Sequence, residues 1–186
     1  MSRFVLAAAV LGTAGTAVMP GCWRRAAMNR PEPYQYIVGD EDLNASSAAS
    51  FARTIALSIA AQAEMARMAT TRGNSDAVRA LGSTILSDHL RMSDDLANIA
   101  REMSLPMPVD LLPQQRQDLD WMAGAQGAEF DRLFLRAMLR EHAANEALLE
   151  QHAGTGADPR MRAFSGRWLP VERAHRREAA GIVVGQ

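Results

Sequence analysis

One long helix with a polar residue in its buried face constrains this chain most. Between residues 78 and 103, apolar residues recur at spacings of three or four, which places them on one helix face. The face consists of Val78, Leu81, Ile85, His89, Met92, Leu96, Ile99 and Met103. Only His89 is polar, and Asp88 precedes it directly. The pattern predicts a helical bundle with an imidazole in its interior.

The first 22 residues are predicted to be a signal peptide rather than part of the fold. After a short basic segment, an apolar run extends from Phe4 to Val18. This run is shorter than the roughly 20 residues of a spanning helix and is typical of an export signal. The next residues, Val18-Met19-Pro20-Gly21-Cys22, resemble a bacterial lipobox, so we expect Cys22 to be lipidated. The alternative is ordinary cleavage near Ala17, which would leave the protein soluble.

Charge and cysteine content limit the partners of the chain. The formal net charge is −1 and Cys22 is the only cysteine. A net charge near zero does not indicate binding to nucleic acid. A single cysteine cannot form an internal disulfide. From the apolar run and the lipobox-like motif, we expect an exported protein of the periplasm or a cell membrane, held there by its N-terminal lipid. A protein partner or a homo-oligomer is not indicated either way.

The remaining chain is predicted to be a tether followed by one helical domain. Residues 23–45 are polar and interrupted by prolines, whereas residues 46–183 carry the helical periodicity. Long helices are predicted over 46–71, 75–103, 125–152 (or from Gly127) and 159–183, with a short helix over 114–122. Pro170 is expected to kink or restart the last helix.

The lengths of the connections predict the topology. About three residues join the first two long helices, and about three join the last two, so each pair should form an antiparallel hairpin. The segment between the hairpins can extend ~40 Å, the length of a 26-residue helix. The prediction is an all-α, ferritin-like four-helix bundle with one long crossover between long helices two and three.

Several short motifs lie along the domain, between about residues 48 and 181. They are Ser87-Asp88-His89, Leu96-Ala97-Asn98-Ile99-Ala100, Gly127-Ala128-Glu129-Phe130-Asp131, Leu139-Arg140-Glu141-His142, and Trp168-Leu169-Pro170 followed by His175. In combination they resemble the bacterial envelope proteins grouped as domain of unknown function 4142. The resemblance implies a ferritin-like fold in the cell envelope. It implies no catalytic mechanism, because the family lacks an established activity.

Polar residues on the apolar helix faces are candidate metal ligands. Aligning the helices by the predicted topology places them in two layers, one with His89, His142 and Glu172, and one nearer the hairpin turns with Glu64, Asp131 and His175. Imidazole and carboxylate groups suit a transition metal such as zinc or iron. Copper would also use methionine, and Met65, Met68, Met92 and Met138 are available.

Competing interpretations remain for these residues. A di-iron site needs Glu-x-x-His on two helices, but Leu86 and Leu139 precede His89 and His142 at that spacing, so a standard di-iron enzyme is disfavoured. The interior could instead be a polar core without metal, in which His175 donates to Asp131. His152, at the predicted end of the third long helix, is expected to be exposed.

The favoured function is a membrane-tethered, non-enzymatic envelope protein that acts in binding or stress protection. The alternative is a metal-dependent redox or storage protein that uses the inward-facing histidines and carboxylates. A transition metal is the only cofactor that the residues indicate, and no catalytic residue is assigned.

Overall fold

The computed structural model describes residues 48–108 and 110–185, which contain five helices and no strand. The helices are α1 Ala48–Arg72, α2 Asp76–Glu102, α3 Pro113–Gly124, α4 Gly127–Thr155 and α5 Pro159–Val184. Four are long and α3 is short, as the periodicity predicts. The predicted signal peptide, the lipidated Cys22 and the tether over residues 23–45 lie outside the described residues. No helix of the described part has the length and apolar character needed to cross a membrane.

Side-chain caps define where α2 and α5 begin. The Ser75 hydroxyl accepts a hydrogen bond from the backbone N–H of Val78 at 3.3 Å. Asp158 accepts from the backbone N–H of Arg160 at 2.8 Å, and Pro159 occupies the first turn of α5. From there α5 continues through Pro170 as one helix, so the expected restart does not occur.

The core divides into two apolar clusters at opposite ends of the long helices. The turn-end cluster lies near the α1–α2 turn and includes Ala66, Ala69, Val78, Leu81, Ile85, Phe130, Phe134, Met138 and Ala179. The distal cluster includes Phe51, Ile55, Ile59, Met92, Leu96, Leu149, Phe164 and Trp168. Each long helix contributes to both clusters. Therefore α2 and α4 run from the turn end to the distal end, and α1 and α5 run the opposite way.

The long helices form two hairpins that pack against each other. α1 packs along α2 and α4 along α5, with further contacts between α1 and α4 and between α2 and α5. The segment between α2 and α4 carries the chain from the distal end back to the turn end. Within it, α3 is attached to α1 because the Gln115 amide donates to the carbonyl oxygen of Leu57 at 3.2 Å. At the turn end, Arg72 donates to the carbonyl oxygens of Ala123 and Ala125 at 2.8 and 2.9 Å.

Candidate metal centre

A layer of buried polar side chains separates the two apolar clusters. Each long helix contributes to this layer from the part of its length between its turn-end cluster residues and its distal cluster residues. Its members are at most 2% exposed, and they are Gln62 of α1, His89 of α2, His142 and Asn145 of α4, and Glu172 and His175 of α5. Buried polar groups are costly unless they are paired, so the hydrogen bonds of this layer determine what it can hold.

Three imidazoles from three helices converge in this layer. One nitrogen from each of His89, His142 and His175 lies within 4.8 Å of the others. The closest pair is His142 Nε2 and His175 Nδ1, which are 3.2 Å apart. A tetrahedral ion with nitrogen ligands at 2.0–2.1 Å would hold them about 3.4 Å apart. The spacing of this pair is therefore already that of two ligands on one metal ion.

Hydrogen bonds on the far side of two rings determine their tautomers. His142 donates from Nδ1 to the carbonyl oxygen of Met138 at 2.8 Å, and His175 donates from Nε2 to the carboxylate of Asp88 at 2.9 Å. A carbonyl or an ionised carboxylate can only accept, so these nitrogens carry the protons. In neutral rings, His142 Nε2 and His175 Nδ1 must then face each other as two unprotonated acceptors. Such a buried pair is unfavourable unless a cation lies between the two nitrogens.

Burial makes a proton unfavourable as that cation, because it disfavours the charged imidazolium form of the rings. It lowers the pKa of His142 to about 4, outweighing the nearby Glu172 carboxylate, and it lowers the pKa of His89 to about 4 as well. The pKa of His175 is also lowered by burial, although its bond to Asp88 acts in the opposite direction. Burial therefore favours the neutral form of all three rings, the form in which imidazole binds a metal.

Glu172 adds a carboxylate to the same centre. Its Oε1 lies 3.1 Å from His89 Nε2, and its Oε2 lies 3.9 Å from His142 Nε2. Asn145 donates to Oε2 at 3.3 Å. Burial raises the pKa of Glu172, while the two histidines His142 and His175 oppose that shift. The carboxylate thus connects the His89 ring to the other imidazoles and completes a set of three nitrogens and one oxygen.

The structure brings four of the six predicted ligands together. His89, His142, Glu172 and His175 all lie in the polar layer. The helix heights estimated from the sequence place His175 in a second layer instead. Because Glu172 and His175 are three residues apart on α5, their backbones differ by only about 4.5 Å in height. Both side chains therefore reach the same centre, and no second layer forms around His175.

The other two predicted ligands lie elsewhere. The Glu64 side chain is 51% exposed and pairs with Arg67 at 3.6 Å, so it stands at the solvent edge of α1. Asp131 is buried, but it accepts from the backbone N–H groups of Asn74 and Ser75 at 2.7 and 2.9 Å. It anchors the α1–α2 turn to the beginning of α4, about 16 Å along the helix from His142.

Three residues in or beside the polar layer were not predicted from the sequence to be partners of the ligands. Asp88, rather than the predicted Asp131, accepts from His175, and it also pairs with Arg91 at the surface. Asn145 lies three residues after His142, a spacing that could have revealed it. Gln62 occupies a core position of α1 flanked by Ile59 and Ala66. A polar residue within an apolar helix face is the sequence signal that could have identified it.

The expectation that His152 is exposed was wrong. α4 continues to Thr155, so His152 remains within the helix, is 3% exposed, and stacks on Phe51 with ring centroids 3.9 Å apart. Burial lowers the pKa of His152. The ring belongs to the distal end of the core, away from the other three histidines.

Comparison with known proteins identifies the family. The model of a domain of unknown function (DUF4142) matches residues 38–182. A crystal structure of a DUF305 fragment from Deinococcus radiodurans is similar to this chain, with a TM-score of 0.66 and 15% identity, over 74% of this chain and 95% of the fragment. At that identity the likeness concerns the fold alone. No curated protein matches the chain. The chain belongs to the DUF4142 family, as its motifs predict.

Proposed function

We propose that this protein binds one transition-metal ion in the polar layer, through His89, His142 and His175 with Glu172 as the carboxylate ligand. The observation that carries the proposal is the 3.2 Å approach of His142 Nε2 to His175 Nδ1, both unprotonated in neutral rings. A metal ion between them removes the repulsion without the cost of a buried imidazolium.

The chemistry of the ligands narrows the choice of metal. Three imidazoles and one carboxylate suit Zn²⁺, and they also accept Cu²⁺, Ni²⁺ or Fe²⁺. The described residues contain no cysteine, so they offer no thiolate ligand to the centre. Met138 takes part through its carbonyl oxygen, as an outer partner of His142. Outer partners of this kind orient ligating imidazoles and increase their basicity.

The burial of the centre favours a binding role over catalysis. The ligand side chains of His89, His142 and Glu172 are fully buried, and His175 is 2% exposed. Catalytic metal sites keep a position open to water or substrate, whereas closed sites serve to hold the ion. Holding a metal ion is a non-enzymatic function compatible with stress protection in the envelope.

The location and the finer architecture are part of the same proposal. The apolar run and the lipobox-like motif ending at Cys22 support a lipid-anchored envelope protein. Two hairpins of long helices, joined by a segment that returns from the distal end to the turn end, support a ferritin-like four-helix bundle in which α3 is part of the crossover.

Metal analysis of the purified protein tests the proposal. Protein isolated without added metal, and then titrated with Zn²⁺ and with Co²⁺ as a spectroscopic probe, should bind one ion per chain. His89→Leu and His142→Leu should abolish binding while the helix content is kept. Glu64→Gln, which changes an exposed carboxylate once predicted to be a ligand, is the matched control and should bind like the wild type. Absence of binding by the wild-type protein would refute the proposal.

A further inference from the structure

Gln62 and its hydrogen-bond partner Ser58 are the buried polar residues of α1. α1 is the one long helix that supplies no proposed ligand. The inward face of α1 has apolar or small residues on either side of Gln62, namely Ile55, Ile59, Ala66 and Ala69. Gln62 therefore stands in this face as His89 stands in the face of α2. Its side chain is fully buried between Ile59 of the distal cluster and Ala66 of the turn-end cluster.

The packing of α1 on α2 places Gln62 at the height of His89. A Cβ built at Gly82 would lie 2.8 Å from the Cβ of Ala69, so these two positions are opposite each other on the antiparallel helices. Seven residues further along α2 is His89, and seven residues back along α1 from Ala69 is Gln62. Because both helices rise by the same amount per residue, the two polar side chains occupy one level.

Each of these two residues has one buried polar atom without a partner. Gln62 donates from Nε2 to the hydroxyl of Ser58 at 2.7 Å, but its Oε1 has no hydrogen-bond partner among the described residues. Nδ1 of His89 is likewise buried and unpartnered in that part of the chain. By contrast, the outer nitrogens of His142 and His175 both have acceptors. His89 is thus the one imidazole of the centre without an outer partner.

We infer that Gln62 is the positioning residue of His89 and accepts its Nδ1–H, directly or through one water molecule, when the metal occupies Nε2. The inference rests on the proposed metal site and deepens it. A metal on Nε2 confines the ring proton to Nδ1, which becomes a buried donor in need of an acceptor. Gln62 Oε1 is a buried acceptor in need of a donor, so one bond satisfies both atoms.

Substitution of Gln62 tests the inference. Gln62→Leu should weaken Zn²⁺ and Co²⁺ binding about ten- to a hundredfold, as loss of an outer partner typically does. Gln62→Glu keeps an acceptor oxygen at the same place and should restore the affinity to the wild-type level or above. Ser58→Ala, which removes the partner of Nε2 but not of Oε1, is the matched control and should bind the metal as the wild type does.

The outcomes separate this inference from the metal site itself. If the wild type and Gln62→Leu bind Zn²⁺ equally well while His89→Leu does not bind, the role of Gln62 is refuted and the metal site stands. If Gln62→Glu loses affinity as Gln62→Leu does, packing rather than an acceptor is responsible, and the inference again fails. If the wild type binds neither ion, both claims fall. Should Gln62→Leu not fold, Gln62→Met carries the same prediction with an unbranched apolar chain.

Discussion

At the scale of single residues, the tautomers of the buried histidines decide what the polar layer can hold. The Met138 carbonyl oxygen and the Asp88 carboxylate accept hydrogen bonds from the outer N–H groups of His142 and His175. This leaves the two unprotonated ring nitrogens 3.2 Å apart. Neither ring can turn to relieve this contact without losing its outer hydrogen bond. The same two outer bonds would orient the rings toward a metal ion.

Acid should destabilise the metal-free protein more than it destabilises a His142→Leu variant. Burial lowers the folded pKa of His142 to about 4, while an unfolded histidine titrates near 6.5. Between these values the unfolded chain binds a proton that the folded chain does not. Stability therefore falls as the pH drops from about 6.5 toward 4, by up to ~1.4 kcal/mol per pH unit for this histidine.

Urea unfolding of both proteins with a chelator present, at several pH values across that window, measures the difference. Asp118, Glu141 and Glu172 have raised pKa values and are present in both proteins. The shifts of Asp118 and Glu141 do not involve His142, so their contributions cancel. Loss of His142 raises the pKa of Glu172 further, which adds to the expected difference between the two proteins. Equal slopes for the two proteins would mean that His142 does not resist protonation in the folded state.

His152→Ala should destabilise the protein by about 1–3 kcal/mol, because it removes a buried ring that stacks on Phe51. His152→Phe retains the stacking and removes the buried Nε2, which has no hydrogen-bond partner among the described residues, so it should cost far less. Thermal unfolding of both variants is the measurement, with the exposed neighbour Gln151→Ala as control. A His152→Ala variant as stable as that control would place the ring outside the core.

At the scale of helices, the close approach of α1 and α2 sets the height of the polar layer. Gly82 lies at a close contact between the two helices, where an added Cβ would meet Ala69 and, at 3.0 Å, the carbonyl oxygen of Ala66. A backbone oxygen cannot move aside as a flexible side chain can. Any group larger than hydrogen at this position must push α1 away from α2 and shift Gln62 relative to His89.

Gly82→Ala should therefore be destabilising, although alanine favours helix. Overpacking costs about 1–3 kcal/mol, and the helix propensity gained is about 1 kcal/mol. Gly166→Ala is the matched control, because its added Cβ, on an exposed face of α5, meets no described residue within 4 Å. It should gain close to 1 kcal/mol. Chemical denaturation of both variants gives the comparison, and a stabilised Gly82→Ala would contradict the close packing.

At the scale of the whole molecule, the helical domain is expected to be held at a membrane by its N-terminus alone. Cys22→Ser should release the protein from the membrane fraction into the soluble periplasmic fraction, because it removes the only thiol that could carry lipid. Gly21→Ala keeps a small residue before the cysteine and should remain in the membrane fraction. Immunoblots of fractionated cells measure both, and a wild-type protein that is already soluble would contradict the lipid anchor.

Much of the helical framework was determined by local sequence. Proline and capping residues such as Asp158 and Ser75 act within one turn of their own position, and an apolar seam such as that around His89 requires burial whatever packs against it. The helix boundaries, the two hairpins and the inward direction of His89 therefore followed without knowledge of the tertiary structure. The predicted end of α4 at His152 was short by three residues, because the helix continues through Gly154 and ends at the second glycine, the C-cap Gly156.

Only the tertiary structure decided which polar residues meet. Glu64 borders the apolar stripe of α1, and whether such an edge residue is buried depends on how far the helix is rotated about its axis against its neighbours. The register between neighbouring helices brings Asp88 to His175 and Gln62 to the height of His89. Residue spacing along one helix cannot determine that register. Periodicity assigns a residue to a face, but the packing of four long helices assigns it a height and a partner. The facing nitrogens of His142 and His175 are a product of that packing.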